Sequence, residues 1–418
     1  MTNVVEQRQG SRTADTIPWI ISVDDHVTEP PDLWASRLPK GLRERGPQVR
    51  RGRVKTSPDT LRGSTQYETP DGQIGDYWIY EGQPVGVLTP ITHAVGFDEN
   101  KIEHRPMTYD EIHPGAWKQD ARLKDMTSNH VEASLCFSNA FSGYCGQLYL
   151  RGPDKTLGRA CIEAYNDWMI DEWCAGEGRG RLIPLIKIPL WDAALAAAEV
   201  RRCAAKAAVS VSFCEHPHDL GLPSIYTGAW DPLFEACAET GTCISMHIGS
   251  SGKIPTTAPE APYMMTSILM FVDSMTSTLD YILSGAFERF PTLKVAYSEG
   301  QIGWLPYAVR RADKVWAARD KEAYGYKRTP RPPSTYVEGH VYGCIFDDDT
   351  ALLCRDLIGM GQIMMEVDYP HSACAFPNVV EVATGLAETA GLNADERYQL
   401  FRGNAIEAYG LERLGITA

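Results

Sequence analysis

Four short apolar runs end in side chains that could bind a metal ion or move a proton. The runs end in SVDDHVTEP, SMHIGSSG, AYSEGQ and MEVDYPHS, and each places Asp, His or Glu directly after an apolar stretch. Such groups are costly to bury unless they are paired or bound to a metal. Imidazoles and carboxylates that converge from different strands are the donors that an N/O metal site requires.

Asp24 and His26 are the most informative pair, because two side chains separated by one residue project to the same side of an extended strand. His247 follows a later run, and a single His in that place is more often a hydrogen-bonded loop residue. Most other histidines have no such placement. His93 and His113 are the likeliest substrate-binding candidates among them, although the substrate-binding residues stay unknown at this point.

Short β-branched runs alternate with longer amphipathic segments, a pattern that predicts parallel βαβ units. Eight strands favour a closed barrel, and the lack of a Gly-rich phosphate loop after the first disfavours a dinucleotide-binding sheet. The predicted strands are Trp19–Val23, Ala133–Phe137, Leu182–Ile188, Ala208–Phe213, Cys243–His247, Lys294–Tyr297, Val337–Ile345 and Ile363–Val367. The predicted helices are Asp154–Ala175, Leu190–Lys206, Trp230–Glu239, Ile268–Phe290, Gly303–Ala318 and Thr350–Ile358.

The fold class is therefore predicted as α/β, a (β/α)₈ barrel with a long insertion after the first strand. Residues 1–18 form a polar tail, and residues 19–418 form one domain that ends in a closing helix. Residues 39–120 form a cap-like insertion, because a loop of this length is usually functional or carries its own small fold. Its aromatic residues Tyr77, Trp78 and Tyr80, with Arg105, either form a lid that binds a small carboxylate or simply pack.

Bulk composition excludes several classes of protein. A net charge of −14 over 418 residues argues against a nucleic-acid-binding surface. The sequence shows no secretory signal and no apolar stretch of about 20 residues, so we expect a cytoplasmic protein without membrane partners. Eleven scattered cysteines predict reduced, mostly buried thiols rather than a disulfide framework.

SVDDHVTEPPDLW, SGAFERFPTLKVAYSEGQIGWLPYAVRRAD, EVDYPHS and RGNAIEAYGL, in this order, resemble the amidohydrolase-related family. That family includes aminocarboxymuconate-semialdehyde decarboxylase and γ-resorcylate decarboxylase. The resemblance runs from about Ile20 to Leu411, outside the insertion, and implies a metal-dependent distorted (β/α)₈ barrel that is usually oligomeric. By position, the resemblance implies that Asp24 and His26 bind the metal from the first strand. It implies that His247 binds it from the fifth strand and Asp368 from the eighth.

The sequence departs from the decarboxylases at the end of the sixth strand, where Glu299 replaces a His that acts on the substrate or its proton. It also has His371 three residues after Asp368, and Glu29 after the first ligand pair. One interpretation is that Glu299 pairs with Arg310 or Arg311 and that His371 braces a loop. The other is that Glu299 and His371 join the metal ligands, so that Asp368, Glu299 and His371 are the catalytic residues.

Six donors exceed what one zinc ion needs, and carboxylate enrichment moves the preference towards iron or manganese. The resemblance then extends to the dinuclear non-haem hydroxylase branch of the family, exemplified by 2-aminoisobutyrate hydroxylase. The favoured prediction is an O₂-dependent hydroxylase with two Fe or Mn ions, acting on a small, carboxylate-bearing substrate. The alternatives are a mononuclear Zn or Mn decarboxylase or C–N hydrolase, and a non-catalytic paralogous subunit. We expect a homo-oligomer, or a hetero-oligomer with a paralogous chain.

Overall fold

Parallel strands close into a barrel in the computed structural model, which describes residues 16–57, 64–97, 105–139, 141–253, 255–318 and 326–417. The strands of these residues are β1 (Ile20–Val27), β2 (Gln48–Thr56), β3 (Thr65–Tyr67), β4 (Gln73–Tyr80), β5 (Gln83–Val87), β6 (Val131–Ser138), β7 (Leu182–Ile183), β8 (Leu185–Ile186), β9 (Ser210–Phe213), β10 (Cys243–His247), β11 (Val295–Ser298), β12 (Val341–Ile345) and β13 (Ile363–Met365).

The barrel consists of two parallel sheets, ordered β1-β6-β7 and β8-β9-β10-β11-β12-β13. The predicted strand Leu182–Ile188 is divided into β7 and β8 at Pro184, which has no N–H to donate to a strand ladder. The two ends of the barrel meet where the Asp368 N–H donates to the Asp24 carbonyl at 2.9 Å. The predicted TIM-barrel fold is confirmed.

The barrel strands are buried on both faces, which is why they are near-continuous apolar runs in the sequence. Every residue of β1, β10, β11 and β12 is buried. An interior cluster fills the barrel and is closed by the C-terminal helix through Ala405, Ile406 and Tyr409. A larger outer cluster packs the strands against the surrounding helices.

The α-helices are α1 (Leu33–Arg37), α2 (Lys40–Arg43), α3 (Gln119–Ser128), α4 (Gln147–Arg151), α5 (Lys155–Trp168), α6 (Ala193–Ala204), α7 (Asp231–Thr240), α8 (Tyr263–Leu269), α9 (Val272–Leu283), α10 (Ala286–Arg289), α11 (Leu305–Ala318), α12 (Asp349–Leu353), α13 (Arg355–Ile358), α14 (Val379–Thr389), α15 (Ala394–Tyr398) and α16 (Asn404–Tyr409). Asp154 and Asp192 cap α5 and α6 through the first free backbone N–H groups.

The predicted helix Ile268–Phe290 is in fact spread over α8, α9 and α10. The break before α10 falls at Gly285, whose φ of 74° is in the left-handed region. A Cβ atom there would lie 2.4 Å from the Arg328 carbonyl oxygen, so only glycine fits. The periodic apolar pattern continues across such a break, which is why the sequence predicted one helix.

The insertion contains a four-stranded antiparallel sheet, ordered β3-β2-β4-β5. Tyr77, Trp78 and Tyr80 are buried in it, and the Trp78 ring stacks on Phe141 at 4.4 Å. Arg105 bonds to Glu111, so these side chains pack rather than form a substrate lid. Residues 1–15 of the predicted tail, and 58–63 and 98–104 of the insertion, lie outside the described residues, and the domain division stays a prediction.

All eleven cysteines are free thiols, and nine of them are buried, as the scattered spacing predicted. Over the described ranges, we find no helix whose length and apolarity would let it cross a membrane.

Candidate metal centre

Strand β1 supplies two inward-facing donors at the barrel mouth. The strand extends to Val27, four residues beyond the predicted end, so Asp24 and His26 lie within it rather than after it. Both are fully buried, and Asp24 Oδ1 lies 3.7 Å from His26 Nε2. The alternation of a strand places both on one side, as the sequence predicted.

Asp25, between them, points the opposite way and is satisfied by protein groups. It accepts hydrogen bonds from Ser22, Ser134 and the Tyr369 N–H. Burial raises the pKa of Asp25 to about 6, and the buried Arg122 opposes this shift. Arg122 also donates to the His26 carbonyl and thereby holds the strand at the ligand position. Asp25 therefore fixes the position of the strand through protein hydrogen bonds and is not itself a metal-ligand candidate.

His247 ends β10 with its imidazole oriented by its own backbone. Its Nδ1 donates to the Ile248 carbonyl at 2.8 Å, because a carbonyl oxygen can only accept. Nε2 is therefore the unprotonated donor atom, and it lies 3.7 Å from Asp24 Oδ2 and 3.6 Å from Glu299 Oε2. This is the arrangement in which histidines commonly bind metals.

Glu299 and Asp368 follow β11 and β13 in left-handed backbone conformations, with φ of 51° and 58°. Non-glycine residues adopt this conformation at a cost, and such residues cluster at functional sites. The Glu299 N–H donates to the buried Glu366 carboxylate at 2.9 Å. Glycine is required at position 300, where a Cβ would lie 2.7 Å from Ser274 Oγ. The backbone thus turns the Glu299 side chain into the mouth.

Asp368 and His371 complete the cluster beside His26. Asp368 Oδ1 lies 3.2 Å from His26 Nε2 and 3.0 Å from His371 Nδ1. The His371 ring stacks on the His26 ring with centroids 3.6 Å apart. Two overlapping groups could hold an ion with donor atoms within 4.8 Å of one another: Asp24, His26 and His247, and His26, Asp368 and His371.

Among the residues that the structure describes, the donor atoms of this cluster have no hydrogen-bond partner although they are buried. This is true of both carboxylate oxygens of Asp24 and Asp368, of both ring nitrogens of His26, and of His247 Nε2. An unpaired buried carboxylate costs several kcal/mol or more, so groups of this kind are retained where a cation binds them. Imidazole nitrogens and carboxylate oxygens are donors that Zn²⁺, Mn²⁺ and Fe²⁺ accept. The residues present therefore fit a divalent metal ion.

The electrostatics lead to the same conclusion. Burial, and then the charges of Glu366 and Glu299, raise the pKa of Asp24 well above its usual value. Burial, and then the charge of Asp368, also raise the pKa of Glu299 well above its usual value. Burial lowers the pKa of His247 to about 4 and that of His26 well below its usual value. Neutral imidazoles among crowded carboxylates form a site that gains most from a bound cation.

Glu299 and Tyr144 are more exposed than the other side chains of the site. Most of the donors are almost fully buried, whereas the Glu299 side chain is 16% exposed and Tyr144 is partly exposed. The Tyr144 ring stacks on His247 with centroids 3.8 Å apart. Burial, and then the charges of Glu299, Asp368 and Asp24, raise the pKa of its phenol well above the usual value.

Among the residues that the structure describes, Glu299 does not form the ion pair with Arg310 or Arg311 that was one of its two interpretations from the sequence. In the described part of the chain its ion-pair contact is with His247, and neither Arg310 nor Arg311 pairs with it. His113 lies by Asp125 and Tyr369, and His93 lies buried against Thr28. Glu29 faces Lys187 and Ser138. Tyr144, Asn139 and Arg122 could not be predicted as parts of the site, because none of them belongs to a spaced motif. Glu366 lies within EVDYPHS, but its contact with the Glu299 N–H could not be inferred from that motif.

Comparisons with known proteins show the family to which the chain belongs. The family model described as Amidohydrolase matches residues 103–411. A decarboxylase of Dictyostelium discoideum, 2-amino-3-carboxymuconate-6-semialdehyde decarboxylase, is 23% identical over 313 residues, which cover 72% of this chain and 79% of that protein.

Solved structures show the same fold. An amidohydrolase from Mycobacterium avium subsp. paratuberculosis K-10 aligns with a TM-score of 0.68 at 20% identity, covering 94% of this chain and 99% of that chain. A dihydroxybenzoic acid decarboxylase from Polaromonas sp. JS666, with bound manganese and the inhibitor 2-nitroresorcinol, aligns with a TM-score of 0.58 at 17% identity, covering 95% and 98%. With most of its length matched by the family model, the chain belongs to the amidohydrolase family.

Proposed function

We propose that the protein is a metal-dependent decarboxylase of a small carboxylic acid. The observation that carries the proposal is the set of buried, unpartnered carboxylate and imidazole atoms at the barrel mouth. The named relatives include decarboxylases, and one of them contains manganese. Asp24, His26, His247 and Asp368 would hold the ion. When bound, it would act as a Lewis acid that orients and polarises an oxygen of the substrate.

Decarboxylation breaks the bond between a carbon atom and its carboxylate, releases CO₂, and requires a proton to be delivered to that carbon. Glu299 is suited to this step, because burial and the Asp368 charge raise the pKa of its carboxyl well above the usual value and so favour the protonated acid. Its side chain is 16% exposed, so its proton can be replaced from water. In the decarboxylases that the sequence resembles, a His is in this place.

Glu366 and Tyr144 would support that step. Glu366 accepts the Glu299 N–H, and so fixes the backbone from which the acid projects. The Tyr144 ring covers one face of His247 and would exclude water from the donors on that side. Both side chains act through position and polarity, and neither needs to change its covalent state.

A dinuclear O₂-dependent hydroxylase is the second candidate, favoured by one observation. Two groups of three donors share His26 and so contain five residues, and Glu299, 3.6 Å from His247 Nε2, is a sixth; six donors are more than one ion requires. None of the relatives reported above is a hydroxylase, so the decarboxylase has the better support. In the dinuclear case Glu299 and His371 would be metal ligands instead. A homo-oligomer or a complex with a paralogous chain remains a prediction in both cases.

The test is CO₂ release by chelator-treated protein reloaded with Mn²⁺ or Zn²⁺, assayed on a panel of small aromatic and unsaturated carboxylic acids. We expect at least one acid to release CO₂ only when metal is present. Oxygen consumption and two Fe or Mn ions per chain, without CO₂ release, would replace this proposal with the hydroxylase. Metal-independent CO₂ release would contradict both.

A further inference from the structure

The insertion reaches the metal centre through a buried histidine. His93 is 2% exposed, and its Nδ1 lies 2.9 Å from the Thr89 carbonyl oxygen. Because that oxygen can only accept, Nδ1 carries the proton and Nε2 is an acceptor. The Thr28 hydroxyl, two residues after His26, lies 2.8 Å from this Nε2 and donates to it.

Asn139, at the end of β6, lies between His93 and His371. Its Nδ2 donates to the Thr92 carbonyl at 2.8 Å and lies 3.2 Å from His93 Nε2. Because the Thr92 carbonyl and His93 Nε2 both accept, the amide nitrogen of Asn139 faces them and its oxygen faces His371. Asn139 Oδ1 is 3.4 Å from His371 Nε2, which must donate to it.

This hydrogen bond determines which nitrogen of His371 faces the donors. With the proton on Nε2, His371 Nδ1 presents a lone pair to Asp368 Oδ1, 3.0 Å away. In neutral His371 this nitrogen and the Asp368 oxygen are therefore two acceptors in close approach. Two acceptors at this distance repel each other unless a cation lies beside them.

Backbone hydrogen bonds also join residues 91–94 of the insertion to the loop that carries His371. The Ala94 N–H donates to the Pro370 carbonyl at 2.8 Å, and the Ser372 N–H donates to the Ile91 carbonyl at 3.0 Å. The loop that carries His371 is therefore bonded on both sides to the insertion, and a shift of residues 91–94 would move the imidazole.

We propose that Asn139 and His93 are positioning residues for the metal centre. They hold His371 with Nδ1 towards Asp368, one of the proposed metal ligands, and so couple the insertion to metal affinity. The series of hydrogen bonds that fixes these orientations begins at the Thr89 carbonyl and passes through His93 and Asn139 to His371. The coupling depends on the metal centre proposed above, but not on decarboxylation.

The experiment measures Co²⁺ binding to chelator-treated protein by titration calorimetry and by visible absorption, which reports the geometry around the ion. Asn139→Leu should weaken Co²⁺ binding about 10-fold and change the spectrum. This is the lower end of the range seen when a group behind a metal ligand is removed, because Asn139 acts on Asp368 through His371. Asn139→Asp, which keeps an acceptor for His371, should recover part of the affinity. Thr28→Val, which removes one donor to His93, should show a smaller loss in the same direction.

Asn166→Leu is the matched control, because Asn166 is also a buried asparagine, but it bonds to Lys187 and Glu199. It should lower stability and leave Co²⁺ affinity unchanged. Wild-type affinity and spectrum in folded Asn139→Leu, or in Thr28→Val if the former does not fold, would overturn the proposal. Absence of Co²⁺ binding by the wild type would instead overturn the metal centre, and lack of CO₂ release would leave this measurement valid.

Discussion

Two buried aspartates in this chain have opposite environments. Asp76, in the insertion sheet, is 3% exposed and accepts from Arg51 Nε at 2.8 Å, Arg51 Nη2 at 2.9 Å and the Tyr109 N–H at 2.8 Å. Asp24, at the barrel mouth, is 0% exposed, and neither of its oxygens has a hydrogen-bond partner in the part of the chain that the structure describes. Asp76 therefore serves the fold, whereas Asp24 is retained for a group that the chain alone does not supply.

The largest effect should follow from removing a donor. Asp24→Asn and His247→Ala should each reduce metal affinity by at least about 100-fold and abolish turnover, because both remove a ligand and not merely its support. The barrel should stay folded, since its stability comes mainly from buried apolar area. Metal per purified chain, measured by elemental analysis, checks this. Full occupancy in either variant would show that the residue is not a ligand.

Glu299→Gln separates the two candidate functions. In a decarboxylase the variant should keep its metal and lose about 10²- to 10⁴-fold in kcat, the usual contribution of a positioned acid. In a dinuclear hydroxylase it should instead lose metal towards one ion per chain. Parallel measurement of metal content and kcat decides between them, and a variant with both unchanged would exclude Glu299 from either role.

Asp76→Asn is the counterpart to Asp24→Asn in the insertion. It should lower the free energy of unfolding by about 1–3 kcal/mol, because a partner of buried donors is weakened. Metal content should stay at the wild-type value. Denaturant unfolding and elemental analysis together test this, and a loss of metal would mean that the contrast between the two aspartates is false.

The smallest effect concerns pH. Burial raises the pKa of Glu366 from 4.5 to about 8, so the folded apoprotein binds more protons than the unfolded chain in this interval, and its stability falls as pH rises. Below about pH 6.5 the lowered pKa of His247 acts in the opposite sense. Between pH 6.5 and 8 the apoprotein should therefore lose about 1–2 kcal/mol relative to the metal-loaded protein.

The measurement is thermal unfolding of the apoprotein and of the metal-loaded protein at several pH values between about 6.5 and 8. Glu215, whose pKa burial raises to about 8, contributes equally to each form, so only their difference reports the site. Parallel pH dependence of the two forms would contradict the prediction.

The sequence predicted the barrel and the positions of its donors because both depend on local patterns. Parallel strands are apolar throughout, and donors at their carboxyl ends must meet at one mouth. Asp24 and His26 could be paired because strand alternation is a two-residue rule. Even so, β1 runs four residues further than its apolar stretch, since Asp25 is satisfied by Ser134 and Tyr369 from distant parts of the chain.

What could not be predicted depends on contacts between residues far apart in sequence. Asn139 and His371 are separated by 232 positions, and Tyr144 reaches His247 from a loop after β6. The Glu299 N–H, in its left-handed conformation, donates to the Glu366 carboxylate, which follows another strand. The insertion aromatics pack against Phe141 for the same reason, so their exposure could not be inferred from composition.

The most direct test of the metal centre is Mn²⁺ titration of chelator-treated protein by calorimetry, with Asp24→Asn and Asp76→Asn alongside. The account predicts at least one tightly bound ion per chain in the wild type and in Asp76→Asn, and none of comparable affinity in Asp24→Asn. No Mn²⁺ or Zn²⁺ binding by the folded wild type, or equal binding by Asp24→Asn, would contradict it.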